Sequence, residues 1–305
     1  MQMLRRDNSN PCVLRSRIIS SIDSFAPLPS VAMRVLDKIT DPDTAVSDLE
    51  GVLRSDVSLV TSILKLANSA FYGVRRQVDS LRHALLLLGK SEVQSLVLAR
   101  VMFKAFKSPT GAQKALMVGV WKHSLECGLA AECLASQLGE EDAFYFLCGM
   151  LHDIGKLVII QKFIREVDGF DHYGKMEEEE GLGLELDLLG CGHDELGAML
   201  LHRWMFPEEL EIIVGTHHDY AGIASCNRAV QILMLANLLC RWVAAQDLFE
   251  AEEAGEASVI ALRGLLLRAG ETSGIISSAG NLVQVEHAYR KYLVEKVDLL
   301  EMLQM

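Results

Sequence analysis

Proline and aromatic residues are scarce in this chain of 305 residues: 6 prolines, and Phe, Trp and Tyr together at 6%. Apolar positions recur at helical spacing rather than in alternation, so a β-sandwich is excluded in favour of packed helices. Positive charge is also short, with 29 Lys and Arg against 41 Asp and Glu and a formal net charge of -12. No basic stripe gathers anywhere, which argues against direct binding to nucleic acid. The seven cysteines (Cys12, Cys127, Cys133, Cys148, Cys191, Cys226 and Cys240) form no CxxC pair. Several sit on apolar helix faces as small buried hydrophobes, a usage that fits a reducing cytoplasm. The N-terminus, with Arg5, Arg6, Asp7 and Asn8, lacks the apolar centre of a signal peptide. The longest apolar run, Ile232 to Cys240, is interrupted by Asn237 and is too short to span a bilayer. Repeats and low-complexity tracts are absent. The expectation is a soluble, cytoplasmic protein with no membrane partner.

What the chain has is apolar content (50%) and enough length for an ample core. Residues 1–12 read as a polar leader, and a helical pattern begins at Val13. Pro27 and Pro29 preclude helix, and Ser30 is placed to cap a helix carrying Val31, Val35 and Leu36. Ser47 with Glu50 reads as a capping box, Asp56 as the cap of a helix over Leu59, Ile63, Leu64 and Ala67, and Gly73 as its stop signal. Ser80 opens a helix that Gly89-Lys90-Ser91 ends. Ser108-Pro109-Thr110-Gly111 is the first strong boundary. The expected domains are therefore an N-terminal helical subdomain over 13–110, a helical core over 111–249 and a C-terminal helical extension over 250–305. Within the second, helices are expected over Ala115–Gln137, over Ala143–Ile160, over His193–Trp204, from Pro207 to the His217-His218 pair, and over Arg228–Phe249. A last amphipathic helix is expected from Leu282 to Leu303. Glu177 to Glu180 read as solvated loop without a metal role.

The chain is organised around Met150-Leu151-His152-Asp153-Ile154-Gly155-Lys156. An adjacent His-Asp pair inside so apolar a helix is costly, since burying an unpartnered neutral polar group costs roughly 2–7 kcal/mol and a charge more. Either a bound divalent cation or a closed hydrogen-bond network must compensate. Of the nine histidines, five are suggestively placed within one segment. His123, His152 and His193 each fall on or beside a separate helix, and His217 and His218 are adjacent. Helical bundles build metal sites from inward-pointing ligands on facing helices. Imidazole nitrogen with carboxylate oxygen suits Zn, Mn, Fe or Ni better than Ca. Taken singly, each histidine also has an ordinary reading as a core or helix-end residue. His83, His172, His202 and His287 have no such company. Lys156 is placed to meet a phosphate or to face solvent.

These residues resemble the HD superfamily of metal-dependent phosphohydrolases, and more closely the HDOD domain family. The marks are Leu28-Pro29-Ser30-Val31-Ala32, then Asn68-Ser69-Ala70-Phe71-Tyr72-Gly73, then His152-Asp153-Ile154-Gly155-Lys156, with Gly192-His193 and Trp204 before Pro207. The resemblance spans roughly residues 15–245. It implies an all-α fold, a multi-helix bundle with an N-terminal helical subdomain packed on an HD-like helical core. It implies a metal pocket of His123, His152, Asp153, His193, His217 and His218, with Glu185 a weaker candidate. It implies a signalling or regulatory module acting through protein partners or ligand sensing, with a phosphate-containing small ligand as one possibility. Two departures stand out. Asn237 occupies the position where HD phosphohydrolases place a closing Asp. Asp219-Tyr220-Ala221-Gly222 replaces the Gly-Tyr-Pro motif of the branch that hydrolyses cyclic di-GMP. Catalysis is therefore not expected. The alternative is a metal-dependent phosphohydrolase or phosphodiesterase in which Lys156 would be catalytic, offsetting phosphate charge.

Overall fold

The computed structural model describes residues 11–296, except for short stretches within 26–43, at 55, within 70–76, within 90–110, at 141–142, within 165–175 and at 252–254. Pro29 to Ala32, Gly73, His172 and Ser108 to Thr110 lie outside the described residues. Among those described, every regular element is helical, as the sequence predicts.

The helices are α1 (Pro11–Asp23), α2 (Val46–Leu53), α3 (Val57–Ala67), α4 (Leu81–Leu88), α5 (Ala112–Gln137), α6 (Ala143–Leu151), α7 (Ile154–Lys162), α8 (Glu178–Leu189), α9 (His193–Arg203) and α10 (Glu208–Thr216). A 3-10 turn (Tyr220–Ser225) leads to α11 (Arg228–Glu250), α12 (Glu256–Ser273) and α13 (Ala279–Glu295). Helix α12 falls in the C-terminal extension expected to be helical, where the sequence marks no individual helix before Leu282.

Caps explain most boundaries. Asp56 accepts from the amides of Ser58 and Leu59 at 2.9 and 3.1 Å, and Ser80 from that of His83, both as expected. The Ser47–Glu50 box is not formed. Helix α2 starts earlier, where Asp48 accepts from the Ala45 amide, and Glu50 instead pairs with Arg54. Pro207 is the cap before α10 rather than a residue of its first turn.

The described chain falls into two compact units. One comprises Met1–Pro27, Lys104–Ser124 and Leu151–His218; the other comprises Leu28–Phe103, Leu125–Met150 and Asp219–Met305. Domain limits read from the sequence follow chain order, whereas these units interleave.

In the first unit α9 packs against α7, α10 and α1. Phe25, Phe106, Trp121 and Trp204 join in edge-to-face contacts with centroids 5.5 to 6.4 Å apart. The α7–α9 crossing is close enough to require glycine. A Cβ on Gly155 would lie 1.9 Å from the His193 carbonyl oxygen, which accounts for glycine in the Ile-Gly-Lys segment. In the second unit α4 packs on α2 and α3, and α11 on α12. There Tyr289 of α13 donates to the Glu126 carbonyl at 3.2 Å and lies 3.1 Å from Cys240 Sγ. The two stretches long and apolar enough to cross a membrane, Phe144–Lys162 and Arg228–Glu250, are 78% and 61% buried within the protein, so core packing accounts for their apolarity.

Candidate metal centre

The apolar stretch Ala143–Ile160 is not one helix. It breaks at His152-Asp153, a turn between α6 and α7. Asp153 occupies the cap position of α7, yet its carboxylate makes no capping bond. It points into a ring of nitrogens instead. Lys156 therefore faces Asp153 three residues away, at 2.7 Å, rather than sharing a helix face with His152.

All six sequence-derived ligand candidates lie in the first unit, and the structure brings them together around Asp153. Its Oδ2 is 3.3 Å from His152 Nε2 and 3.7 Å from His123 Nε2. Its Oδ1 is 3.2 Å from His193 Nε2 and 3.8 Å from His217 Nε2. His218 Nε2 is 2.7 Å from His193 Nε2. His152, His193 and His217 are fully buried. Two donor groups result, sharing Asp153. His123, His152 and Asp153 form one; Asp153, Glu178, His193, His217 and His218 form the other.

Partners outside the ring fix the tautomers. His217 Nδ1 is 2.6 Å from the Val214 carbonyl, which can only accept, so the proton is on Nδ1 and the Nε2 lone pair faces Asp153. His193 Nδ1 lies 2.7 Å from Glu185, so it too directs Nε2 inward. Glu185 is fully buried on α8 and also accepts from the His193 amide at 2.5 Å and from the Tyr173 hydroxyl. It orients a ligand rather than facing the ring. The sequence marks Glu185 only as a weaker candidate and carries no signal for Tyr173.

Glu178 corrects an expectation. Glu177, Glu179 and Glu180 are exposed, as a solvated run should be, but the stretch opens helix α8 rather than a loop. The Glu178 side chain is 6% exposed, with its carboxylate 3.8 Å from His218 Nε2 and 3.9 Å from Lys156 Nζ. The usable signal was its spacing from Glu185: seven residues, two helical turns on one face.

Charge states follow from this packing. Burial opposes ionisation of Asp153, but His152 and Lys156 beside it hold its carboxyl well below the usual range. Burial drives His123 down to about 4 and His218 likewise. His217 is pushed well below its ordinary value by burial and its histidine neighbours. His193 goes the other way. Burial and Lys156 disfavour its protonation, and Asp153 and Glu185 overcome them, raising it to about 9. Burial likewise opposes the Lys156 charge, and Asp153 and Glu178 more than restore it.

Asp153 Oδ1 and His217 Nε2 are buried without a hydrogen bond among the described residues, 3.8 Å apart. Such atoms are expensive to leave unsatisfied. Imidazole and carboxylate donors of this kind fit a first-row divalent ion. Beside the ring opens a cleft of about 340 Å³, lined by His123, Asp153, Lys156, Tyr173, Glu178 and Glu185 with an apolar wall from α5 and α7. His83, His202 and His287 stand exposed on helices α4, α9 and α13, outside the ring. Asn237 belongs to the second unit, fully buried on α11 with its amide 3.5 Å from the Tyr220 hydroxyl.

A helical chain that gathers histidines around a His-Asp turn defines the HD class of protein. Within that class the HDOD domain model matches residues 25–220. The chain belongs to the HDOD domain family. A curated relative from Treponema pallidum (strain Nichols), itself uncharacterised, is 27% identical over 208 residues, which is 68% of this chain and 40% of the relative. The chain thus spans under half the length of that relative. A candidate phosphohydrolase from Shewanella amazonensis SB2B shares the fold at a TM-score of 0.70 and 21% identity, over 94% of this chain and 97% of that one. A candidate signal transduction protein from Marinobacter aquaeolei VT8 does so at 0.61 and 22%, over 92% and 67%.

Proposed function

We propose that this chain is a cytoplasmic signalling module whose pocket holds a divalent transition metal and whose state is read by a protein partner or set by a small phosphate-bearing ligand. One observation carries the metal: two donor groups meet at Asp153 beside an open cleft, with buried donor atoms that have no hydrogen bond among the described residues. His123, His152, Asp153, His193, His217 and His218 would hold it. The donor set favours Zn, Mn, Fe or Ni. When bound, such an ion supplies positive charge for an anionic ligand and lowers the pKa of attached water. Glu185 keeps the His193 ring turned inward, and Lys156 balances Asp153. The cleft is at the small end of ligand sites, fitting a small metabolite rather than a polymer. Regulation rather than turnover is supported by two features. The charge of Lys156, which lines the cleft, is partly taken up by Asp153 and Glu178, and Asn237 stands where the resemblance to HD phosphohydrolases calls for an Asp.

The second reading, a metal-dependent phosphohydrolase or phosphodiesterase, is favoured by the same donors lining a cleft. The deciding experiment is metal content by mass spectrometry on untagged protein, with Asp153→Ala in parallel, followed by a phosphodiester screen. Stoichiometric metal lost in the variant, and no turnover, is the expected result. Turnover abolished by His152→Ala and Asp153→Ala would make the protein an enzyme. Protein without metal after growth in metal-rich medium would remove the metal from this reading.

A further inference from the structure

Of the ring's carboxylates only Asp153 was expected from the sequence, and one aspartate is thin charge for a pocket with five histidines. We infer that Glu178, the first residue of α8, is a metal ligand, and that it defines a second metal position with Asp153, His193, His217 and His218. This rests on the metal-binding reading above and extends it to a residue outside the six.

The case is geometric. An ion about 2.0–2.2 Å from each nitrogen or oxygen donor needs neighbouring donors roughly 3–4 Å apart. Around this position the neighbouring separations are 3.2 Å (Asp153 to His193), 3.8 Å (Asp153 to His217), 3.8 Å (His218 to Glu178) and, shorter, 2.7 Å (His193 to His218). One ligand atom from each of the five lies within 4.8 Å of every other. His217 Nε2, fully buried, has its lone pair aimed into this space with no hydrogen bond among the described residues. Of the four consecutive glutamates only Glu178 is largely buried, its side chain 6% exposed, while Glu177 is exposed at the cleft and Glu179 and Glu180 are exposed.

Charge agrees. Neutral imidazoles offset none of a dication, and Asp153 is shared with the position formed with His123 and His152. A carboxylate from Glu178 lets two ions sit side by side at lower electrostatic cost. It also ties α8 to the centre twice, through Glu178 directly and through Glu185 and His193.

The test is metal stoichiometry and affinity on the full chain, titrated with Zn²⁺ and separately Mn²⁺, for wild type, Glu178→Gln, Glu177→Gln and Asp153→Asn. Thermal melting in chelator confirms that each variant folds. Wild type should take two equivalents and Glu177→Gln the same. Glu178→Gln should keep the first and lose the second or weaken it at least tenfold, and Asp153→Asn should lose both. Two equivalents bound unchanged by Glu178→Gln would overturn the assignment and leave the metal reading standing. So would a single equivalent in wild type that Glu178→Gln leaves unaffected. No metal in wild type would overturn the metal reading and the assignment together.

Discussion

Asp153 concentrates the chemistry of the site in one carboxyl group, and its neighbours show how a single environment pushes like residues apart. His123 and His218 are held at about 4 while His193 is raised to about 9. Against an unfolded value near 6.5, the native site refuses protons at His123 and His218 that the unfolded chain accepts below that pH. Stability is therefore full above about 6.5 and falls as pH drops toward 4. His193 has the opposite sign, contributing fully below about 6.5 and losing its contribution as pH rises through 9. Metal-free protein should thus melt highest near neutrality and lower at both ends. Thermal melts in chelator from pH 4 to 9.5 check this, and a melting temperature that climbs on acidification would contradict it. Glu185→Gln should leave the fold intact and weaken metal binding about 10–100-fold, the usual effect of removing the partner that orients a ligand histidine. A competition titration measures it. The histidines and Asp153 were legible because their types and order in the chain are unusual. Glu178 was not, because a glutamate run reads as solvent-facing until the helix phase of α8 is known.

Helix boundaries divide the same way. Asp56 and Ser80 announce their helices because a short oxygen side chain precedes an apolar period. The break at His152-Asp153 carries no such signal. Gly149 and Gly155 weaken a helix on either side, but both lie inside the helices that flank the turn and neither marks where it falls; the partners gathered around Asp153 do. Gly155 is legible as a glycine but not in its purpose, which is the contact with the His193 carbonyl. Gly155→Ala should cost about 3 kcal/mol or more, since backbone on both sides must move, and denaturant unfolding would record it. Tyr289→Phe should cost about 1 kcal/mol, the loss of one buried hydroxyl bond to Glu126, without a change in metal binding. An equal loss of metal would show that α13 does more than pack.

For the molecule as a whole, an ion that binds only the folded site stabilises it by mass action, about 2.7 kcal/mol at a hundred times the dissociation constant. The melting temperature should rise by several degrees with saturating Zn²⁺ or Mn²⁺ and return with chelator. Asp153→Asn should abolish the shift. The all-helical class was legible from composition and period; the interleaving of the two units was not, because local signals carry no information about which distant segments meet. That interleaving bears on descent as much as on form. Residues that surround Asp153 come from Lys104–Ser124 and Leu151–His218, with Leu125–Met150 of the other unit between them in the chain. Any segment that carries the whole site must therefore also carry Leu125–Met150, so the helices of the two units are inherited together.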